Sequence, residues 1–202
     1  VGSEMCIRDR FKEETSRLQI TLTKSLFKSH MLNSYHGIGH TVRVMWNAFL
    51  IAYTDKTISN SILSSVLYAS LIHDLGKNSD TEGEIHGENS AILYKSKIEQ
   101  SCSPEDASSI LEAVKYHSID DSKTPSTVRC SKIWEILKDA DALDRSRLPG
   151  RGCNPAFLRN KLFQLDDGKR ILSIAKELPS LTSDCTWDNP INNFINVIKS
   201  LK

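Results

Sequence analysis

Apolar residues recur at helical spacing along nearly the whole chain, and this pattern constrains the fold more than any other feature of the sequence. The segment 59–73 is the clearest case. Its Leu63, Val66 and Leu67 fall on one broad apolar face when the segment is drawn as a helix. No segment shows the strict alternation of apolar and polar residues that is typical of a half-buried β-strand. The sequence therefore predicts an all-α fold, built as a single helical bundle.

Turn and capping signals divide the pattern into separate helices. Ser103 and Pro104 are typical of a helix start, with serine as the N-cap and proline at the first helical position. Asn154 and Pro155 repeat this signature, and Gly76 ends an apolar helix. We predict helices over 11–32, 41–53, 59–73, 88–98, 103–117, 128–143, 156–165, 168–178 and 191–201.

Composition excludes several classes of protein. A chain of 202 residues buries roughly 70% of its unfolded surface and needs no disulfide or structural metal to fold. The longest apolar stretch, residues 48–53, is far shorter than the ~20 residues of a membrane helix. The net charge of +1 predicts no stable nucleic-acid binding. None of the five cysteines forms a C-x-x-C pair, so we expect reduced thiols in a soluble, cytoplasmic protein with no membrane partner.

Residues 1–10 are set apart from the fold in our interpretation. They show no helical or strand period, and they lack the apolar core of a secretory signal. The string VGSEMCIRDR is similar to translated sequencing-adapter read-through, and the alternative is a short disordered tail. We therefore expect the folded domain to comprise residues 11–202.

The six histidines carry most of the chemical information in the sequence. His73 and Asp74 are adjacent at the end of an apolar helix, in the segment LIHDLGK. An imidazole and a carboxylate delivered together into a glycine turn indicate a metal site, and they suit Mn, Fe, Co, Ni or Zn better than Ca. For His73 alone, a simple interaction with the helix dipole is the alternative.

Five segments of the chain resemble, in order, the HD-domain superfamily of metal-dependent phosphohydrolases. They are YHGIGHTVRV, LIHDLGK, IHGENSA, VKYHS and LKDADALDR, and the resemblance covers about residues 34–159. It implies a helical bundle with the metal site between its central helices. The implied metal ligands are His40, His73, Asp74, His86, His117 and Asp141. Asp139 and Asp144 remain rivals of Asp141 for the last position, because they lie close to it in the sequence.

The resemblance also implies a reaction. The substrate would be a small phosphorylated molecule, a phosphomonoester or a phosphodiester, with nucleotides among the candidates. The cofactors would be divalent ions of Mn, Fe, Co, Ni, Zn or Mg, two per chain. Asp74 would bridge them, with one ion beside His40 and the other beside His86 and His117. A water shared by the ions would lose a proton near neutral pH and attack phosphorus.

Two further residues are predicted to take part in catalysis beside Asp74. His36 lies four residues before His40, as in the YHxxxH element of the related cyclic-nucleotide phosphodiesterases, where the first histidine is a general acid. The alternative is that His36 only stabilises the turn 37–39. Lys77 follows the His-Asp pair and is placed to neutralise a phosphate oxygen. Its alternative is a solvated lysine beyond the end of a helix.

Arginines cluster around the predicted site. The predicted substrate-binding residues are Arg43, Arg145, Arg147 and Arg151, and Arg159 belongs to the same basic stretch. Guanidinium groups beside a metal site can clamp an anionic substrate through paired hydrogen bonds. A solvated basic surface is the alternative for each of them.

Two other functions share this ligand order. Di-iron oxygenases that cleave C–C or C–P bonds use the same fold, and non-catalytic signalling modules of HD type also exist. Such modules typically lose ligands, whereas all six positions are filled here. The arginine cluster favours phosphate chemistry over oxygen chemistry. The sequence predicts neither the substrate nor the oligomeric state.

Overall fold

The computed structural model describes residues 7–148 and 150–200, and in this part the chain is all-α, as predicted. Nine α-helices are joined by loops and short 3-10 turns, and these residues contain no β-strand. The helices are α1 (Ile7–Ser16), α2 (Ile38–Thr54), α3 (Asn60–Ile72), α4 (His86–Ser101), α5 (Pro104–Tyr116), α6 (Ser126–Arg129), α7 (Lys132–Leu143), α8 (Asp166–Leu181) and α9 (Pro190–Val197). None of these helices has the length and hydropathy needed to cross a lipid bilayer.

Helices α2 and α3 form the centre of the bundle. They pack against each other, α7 packs against both, α5 packs against α3, and α8 packs against α2. Val42, Met45 and Phe49 of α2 have at most 1% of their surface exposed. A helix that is apolar on nearly all sides belongs in the interior, which explains the position of α2 and α3. The ends of these central helices therefore meet inside the protein.

The prediction of one helix over 11–32 is wrong in its second half. Helix α1 ends at Ser16, and an irregular segment follows. In that segment Leu18, Ile20 and Leu22 are buried and alternate with exposed residues, as in an extended chain packed on a core. The leucine spacing that suggests a helix is therefore shared by an extended segment, and the β-branched residues around it favour the extended form.

The first helix also begins earlier than predicted. It starts at Ile7, so residues 7–10 belong to the folded domain, whereas residues 1–6 lie outside the described residues. The guanidinium of Arg8 donates a hydrogen bond of 2.9 Å to the carbonyl of Lys199 near the other end of the chain.

The C-terminal third contains shorter elements than predicted. The predicted helix 128–143 is broken between α6 and α7, and the predicted helix 156–165 is replaced by the two 3-10 turns Pro155–Phe157 and Lys161–Gln164. Asn154 and Asn160 each accept a hydrogen bond from the backbone at the start of one of these turns. Each asparagine therefore begins a new short turn, and no continuous helix forms over this stretch. Helix α9 ends in a 3-10 turn, and residue 201 of its predicted range lies outside the described residues.

Candidate metal centre

The structure brings the six predicted metal ligands together where the central helices end. Four helices contribute the histidines: α2 in its first turn, α3 and α5 at the residue that follows each, and α4 at its first residue. The side chains they carry are His40, His73, His117 and His86, in that order. Asp74 follows α3 directly, and Asp141 lies in the last turn of α7.

Asp74 lies at the centre of this arrangement, between two pairs of histidines. Its Oδ2 is 3.4 Å from Nε2 of His40 and 3.5 Å from Nε2 of His73. Its Oδ1 is 3.2 Å from Nε2 of His86 and 3.5 Å from Nε2 of His117. One carboxylate oxygen therefore faces each pair.

The ligand atoms form two groups that share Asp74. In each group the two histidine Nε2 atoms are 3.2 Å apart, and all ligand atoms of a group lie within 4.8 Å of one another. Each group can hold a metal ion. Asp141 borders the first group, because its Oδ1 is 3.3 Å from Nε2 of His40 and its side chain is 28% exposed to the adjacent cleft.

The protein backbone orients three of the four imidazoles. Nδ1 of His73, His86 and His117 lies 2.7, 2.6 and 2.6 Å from the backbone carbonyl oxygen three residues earlier in the chain. A carbonyl only accepts, so Nδ1–H is the donor in each contact, and the remaining nitrogen, Nε2, is free to bind a metal. All three Nε2 atoms face Asp74.

His40 differs from the other three histidines in its Nδ1 partner. That nitrogen is 2.7 Å from Oδ2 of Asp144, a carboxylate with no exposed surface. Asp144 is held in turn by Arg43, whose Nε and Nη2 donate hydrogen bonds of 2.6 and 3.2 Å to its two oxygens. No pattern in the sequence predicts this contact, and Asp144 was expected only as a rival metal ligand.

Two other sequence expectations change in consequence. Arg43, predicted to bind substrate, is buried and donates hydrogen bonds to Asp144 and Thr182. It lines a second cavity beside His40 and not the cleft over Asp74. Asp139, the other rival of Asp141, accepts hydrogen bonds from Arg159 and is fully buried away from the ligand groups. Of the three aspartates in this stretch, only Asp141 lines the cleft.

Burial sets the charge of the ligands. It lowers the pKa of His73 to about 3, so this imidazole is neutral near pH 7. Burial alone would raise the pKa of Asp74, but His73 and the other three histidines outweigh it and hold the pKa well below its usual range. Burial and Arg147 lower the pKa of His40, yet the three carboxylates around the imidazole outweigh both and raise the pKa to about 9.

The donor set fits a divalent transition metal. Oδ1 of Asp74 is buried and makes no hydrogen bond of acceptable geometry with any described residue, although two histidine nitrogens lie close to it. A buried acceptor without a partner is costly, and a cation between it and those nitrogens removes the cost. Imidazole nitrogen and carboxylate oxygen together suit Mn, Fe, Co, Ni and Zn.

A cleft of about 800 Å³ opens over the ligands. The predicted residues that line it are His36, Lys77, Arg145, Arg147 and Arg151, together with Asp74, His86, His117 and Asp141. Arg145 and Arg151 are exposed, and their guanidinium groups form no hydrogen bond or ion pair with the residues that the structure describes. Arg147 is fixed, since its guanidinium donates to the carbonyls of Tyr35 at 2.8 Å and Asp144 at 3.0 Å.

His36 and Lys77 both lie beside the ligand groups. The His36 ring centroid is 5.6 Å from that of His40, and its Nδ1 is 2.7 Å from Oδ1 of Asp80. Burial lowers the pKa of His36. Lys77 is only 4% exposed, and its ammonium donates to the carbonyl of Glu82 at 3.2 Å, so it is not a solvated lysine.

No protein-family model, curated protein or solved structure matches this chain. The geometry of the site is therefore the basis for any function assigned to the protein.

Proposed function

We propose that the protein is a metal-dependent phosphohydrolase of the HD-domain type, which binds two divalent ions and hydrolyses a small phosphate ester. The observation that carries this proposal is the position of Asp74 between two pairs of histidines, with one oxygen facing each pair. A carboxylate in this position is suited to bridge two ions. Two exposed arginines in the cleft over it, Arg145 and Arg151, support phosphate as the group that reacts.

When two ions are bound, they supply a water of lowered pKa and offset the charge of the phosphate oxygens. The first group, His40, His73 and Asp74 with Asp141 beside it, would hold one of them. The second group, Asp74, His86 and His117, would hold the other. His36 is positioned for proton transfer in the cleft, because its Nδ1–H donates to Asp80 and leaves Nε2 for the transfer. Burial lowers the pKa of His36, so Nε2 would first take up a proton from the attacking water and then give it to the leaving oxygen.

The cations of the cleft would bind the rest of an anionic substrate. Arg145 and Arg151 are exposed and lack a charged partner among the described residues, so their guanidinium groups are free for two-point contacts with phosphate oxygens. Arg147 and Lys77 are fixed by backbone carbonyls and add positive charge at set positions. This charge favours an anionic substrate. Because a C–P oxygenase also acts on an anionic substrate, oxygen uptake is the measurement that separates the two reactions.

Metal analysis tests the two-ion arrangement. We expect about two Mn²⁺ or Co²⁺ ions per wild-type chain at saturation, and about one in a variant with His86→Ala and His117→Ala. His30→Ala is the matched control, because His30 lies outside the two metal groups and does not line the cleft; its ring contacts the carbonyl of Asn78. One ion in both the wild type and the double variant would refute the dinuclear site.

A substrate panel tests the reaction. The metal-loaded protein is assayed on phosphomonoesters and phosphodiesters, and oxygen uptake is measured in parallel on the ferrous form. We expect phosphate-ester hydrolysis without oxygen uptake, and its loss in Asp74→Asn with the helical circular dichroism retained. Oxygen uptake with an organic substrate, or full hydrolysis by Asp74→Asn, would overturn the proposal.

A further inference from the structure

The two metal groups differ in how their histidines are supported. His73, His86 and His117 each donate Nδ1–H to a neutral backbone carbonyl. His40 instead contacts the carboxylate of Asp144, at 2.7 Å. The group that contains His40 therefore has a carboxylate behind one of its imidazoles. In the other group no carboxylate takes that place, and Nδ1 of His86 lies 3.2 Å from the cationic Nζ of Lys77.

Both oxygens of Asp144 are occupied by hydrogen bonds, so this carboxylate is not placed to bind a metal itself. Nε and Nη2 of Arg43 donate to the two oxygens, and Nη1 of the same guanidinium donates to Oγ1 of Thr182 at 3.1 Å. The Thr182 hydroxyl donates in turn to the carbonyl of Leu178 at 2.8 Å, so the chain of contacts ends on α8. These contacts fix the oxygen of Asp144 that meets His40.

A carboxylate behind a metal-binding imidazole changes the imidazole in two ways. It fixes the ring and its tautomer, and it makes the other ring nitrogen a stronger donor to the metal. Two further differences act in the same direction. Asp141 adds a second carboxylate beside the His40 group, and the side chain of His40 is fully buried, whereas that of His86 is 12% exposed.

We propose that Asp144 is a positioning residue that makes the His40 group bind a divalent ion more tightly than the His86–His117 group. The two ions then load in a fixed order, with the His40 group filled first. This inference rests on the proposed metal-binding function and adds the order of binding and the residue that sets it.

Titration of the metal-free protein with Co²⁺ tests the proposal. Binding is measured by calorimetry and by the visible absorption of the bound ion. The wild type should show two phases. Asp144→Asn keeps the size and one acceptor oxygen but loses the charge, so it should weaken the tight phase by about 10–100-fold and leave the weak phase unchanged. It should also alter the absorption of the first Co²⁺ bound.

Asp139→Asn is the matched control, since Asp139 is equally buried, pairs with the guanidinium of Arg159 through Nη1 and contacts no ligand. It should leave both phases and the Co²⁺ spectrum unchanged. If Asp144→Asn does not fold, Arg43→Lys takes its place. It keeps a cation beside Asp144 without the two-point grip, and it should weaken the same phase to a smaller extent.

The possible outcomes separate this inference from the proposed function. Two equal Co²⁺ phases in the wild type, or an unchanged tight phase in the folded variant, overturn the role of Asp144. Equal weakening by Asp144→Asn and Asp139→Asn also overturns it, because the effect is then general. Absence of Co²⁺ binding by the wild type would instead refute the proposed metal centre.

Discussion

At the scale of single residues, the central fact is a buried carboxylate among imidazoles. An isolated buried charge is strongly unfavourable, so Asp74 requires positive charge nearby. In the metal-free protein part of that charge is a proton on His40, whose pKa is about 9 because its carboxylate neighbours outweigh the effects of burial and of Arg147. A metal ion that binds Nε2 of His40 must displace this proton.

Metal uptake by the His40 group should therefore depend on pH. Below a pKa of about 9 the proton competes with the ion, so apparent affinity should rise by up to about tenfold per pH unit and level off above about pH 9. Competition titrations with a chromophoric Co²⁺ ligand across this range measure the slope, and a pH electrode in weakly buffered solution detects the released proton. An affinity that does not change with pH would contradict the expected exchange.

The sequence predicted the histidines of the site, but it did not predict the carboxylates that hydrogen-bond to them. Of the four histidines that meet at Asp74, His73 is indicated by its position next to Asp74 in LIHDLGK. The other three were predicted from the resemblance of their segments to the HD-domain superfamily. Asp144 and Asp80 act through contacts with His40 and His36, which lie more than forty residues away in the chain. Such contacts are made by folding and leave no local pattern.

At the scale of secondary-structure elements, the packing of α4 on α5 determines how His86 and His117 lie relative to each other. Gly87 follows His86, and a Cβ at this glycine would lie 2.6 Å from the carbonyl oxygen of Val114. The same oxygen accepts the hydrogen bond from Nδ1 of His117. The close approach of the two helices and the orientation of His117 thus depend on one missing methyl group.

Gly87→Ala should therefore disturb the His86–His117 group selectively. The added methyl group displaces the backbone of α5, so we expect weaker binding of the second Co²⁺ ion and little change for the first. Gly83→Ala is the matched control, because a Cβ at Gly83 meets nothing within 4 Å and the carbonyl that orients His86 is retained. Equal Co²⁺ binding by the two variants would show that the approach of α4 to α5 is unimportant.

Helix α1 should contribute substantially to stability, although its first turn was excluded from the sequence prediction. Phe11 is fully buried, with its ring centroid 5.1 Å from that of Trp46 and 6.4 Å from that of Phe194. Phe11→Ala should lower the free energy of unfolding by about 3–5 kcal/mol, because it leaves a cavity between three helices. Urea unfolding monitored by circular dichroism measures this, with the exposed Lys12→Ala as control. A loss as small as that of Lys12→Ala would mean that α1 is dispensable.

The start of α5 was predictable because a capping residue marks it, whereas the same signature at Asn154 begins only a 3-10 turn. Ser103 was expected to start α5, and its side chain accepts a hydrogen bond from the backbone N–H of Asp106. The region after α1 has no such mark, and its leucines fit a helix and an extended chain equally well. Only the packing of residues 17–22 on the core decides between the two forms.

At the scale of the whole molecule, positive and negative charges nearly balance, and the same is true of the cleft. The net charge of the chain is +1, and six cationic and five acidic side chains line the cleft over the ligand groups. Four of the cationic side chains are held by acidic side chains or backbone carbonyls, namely Lys77, Lys138, Arg147 and Arg159. The two that remain free for a ligand among the described residues are Arg145 and Arg151.

Arg145→Ala and Arg151→Ala should each raise KM for a phosphorylated substrate while metal content stays constant. Both groups are exposed, so the effect should be about 2–10-fold per variant and should shrink as salt is added. Arg129→Ala, which removes an exposed arginine outside the cleft, is the control. Unchanged KM in both cleft variants would make these arginines part of a solvated surface.

Two of the ligand histidines, His73 and His117, are also the residues at which α3 and α5 end. Their imidazoles are held by the last turn of their own helix, so the backbone arranges them before an ion arrives. Folding should therefore precede loading, in contrast to a zinc finger, which is unfolded without its metal. A chelator should strip the protein to a folded, inactive form that regains activity when metal is returned. Metal supply would then act on this protein as a reversible switch of activity rather than of folding.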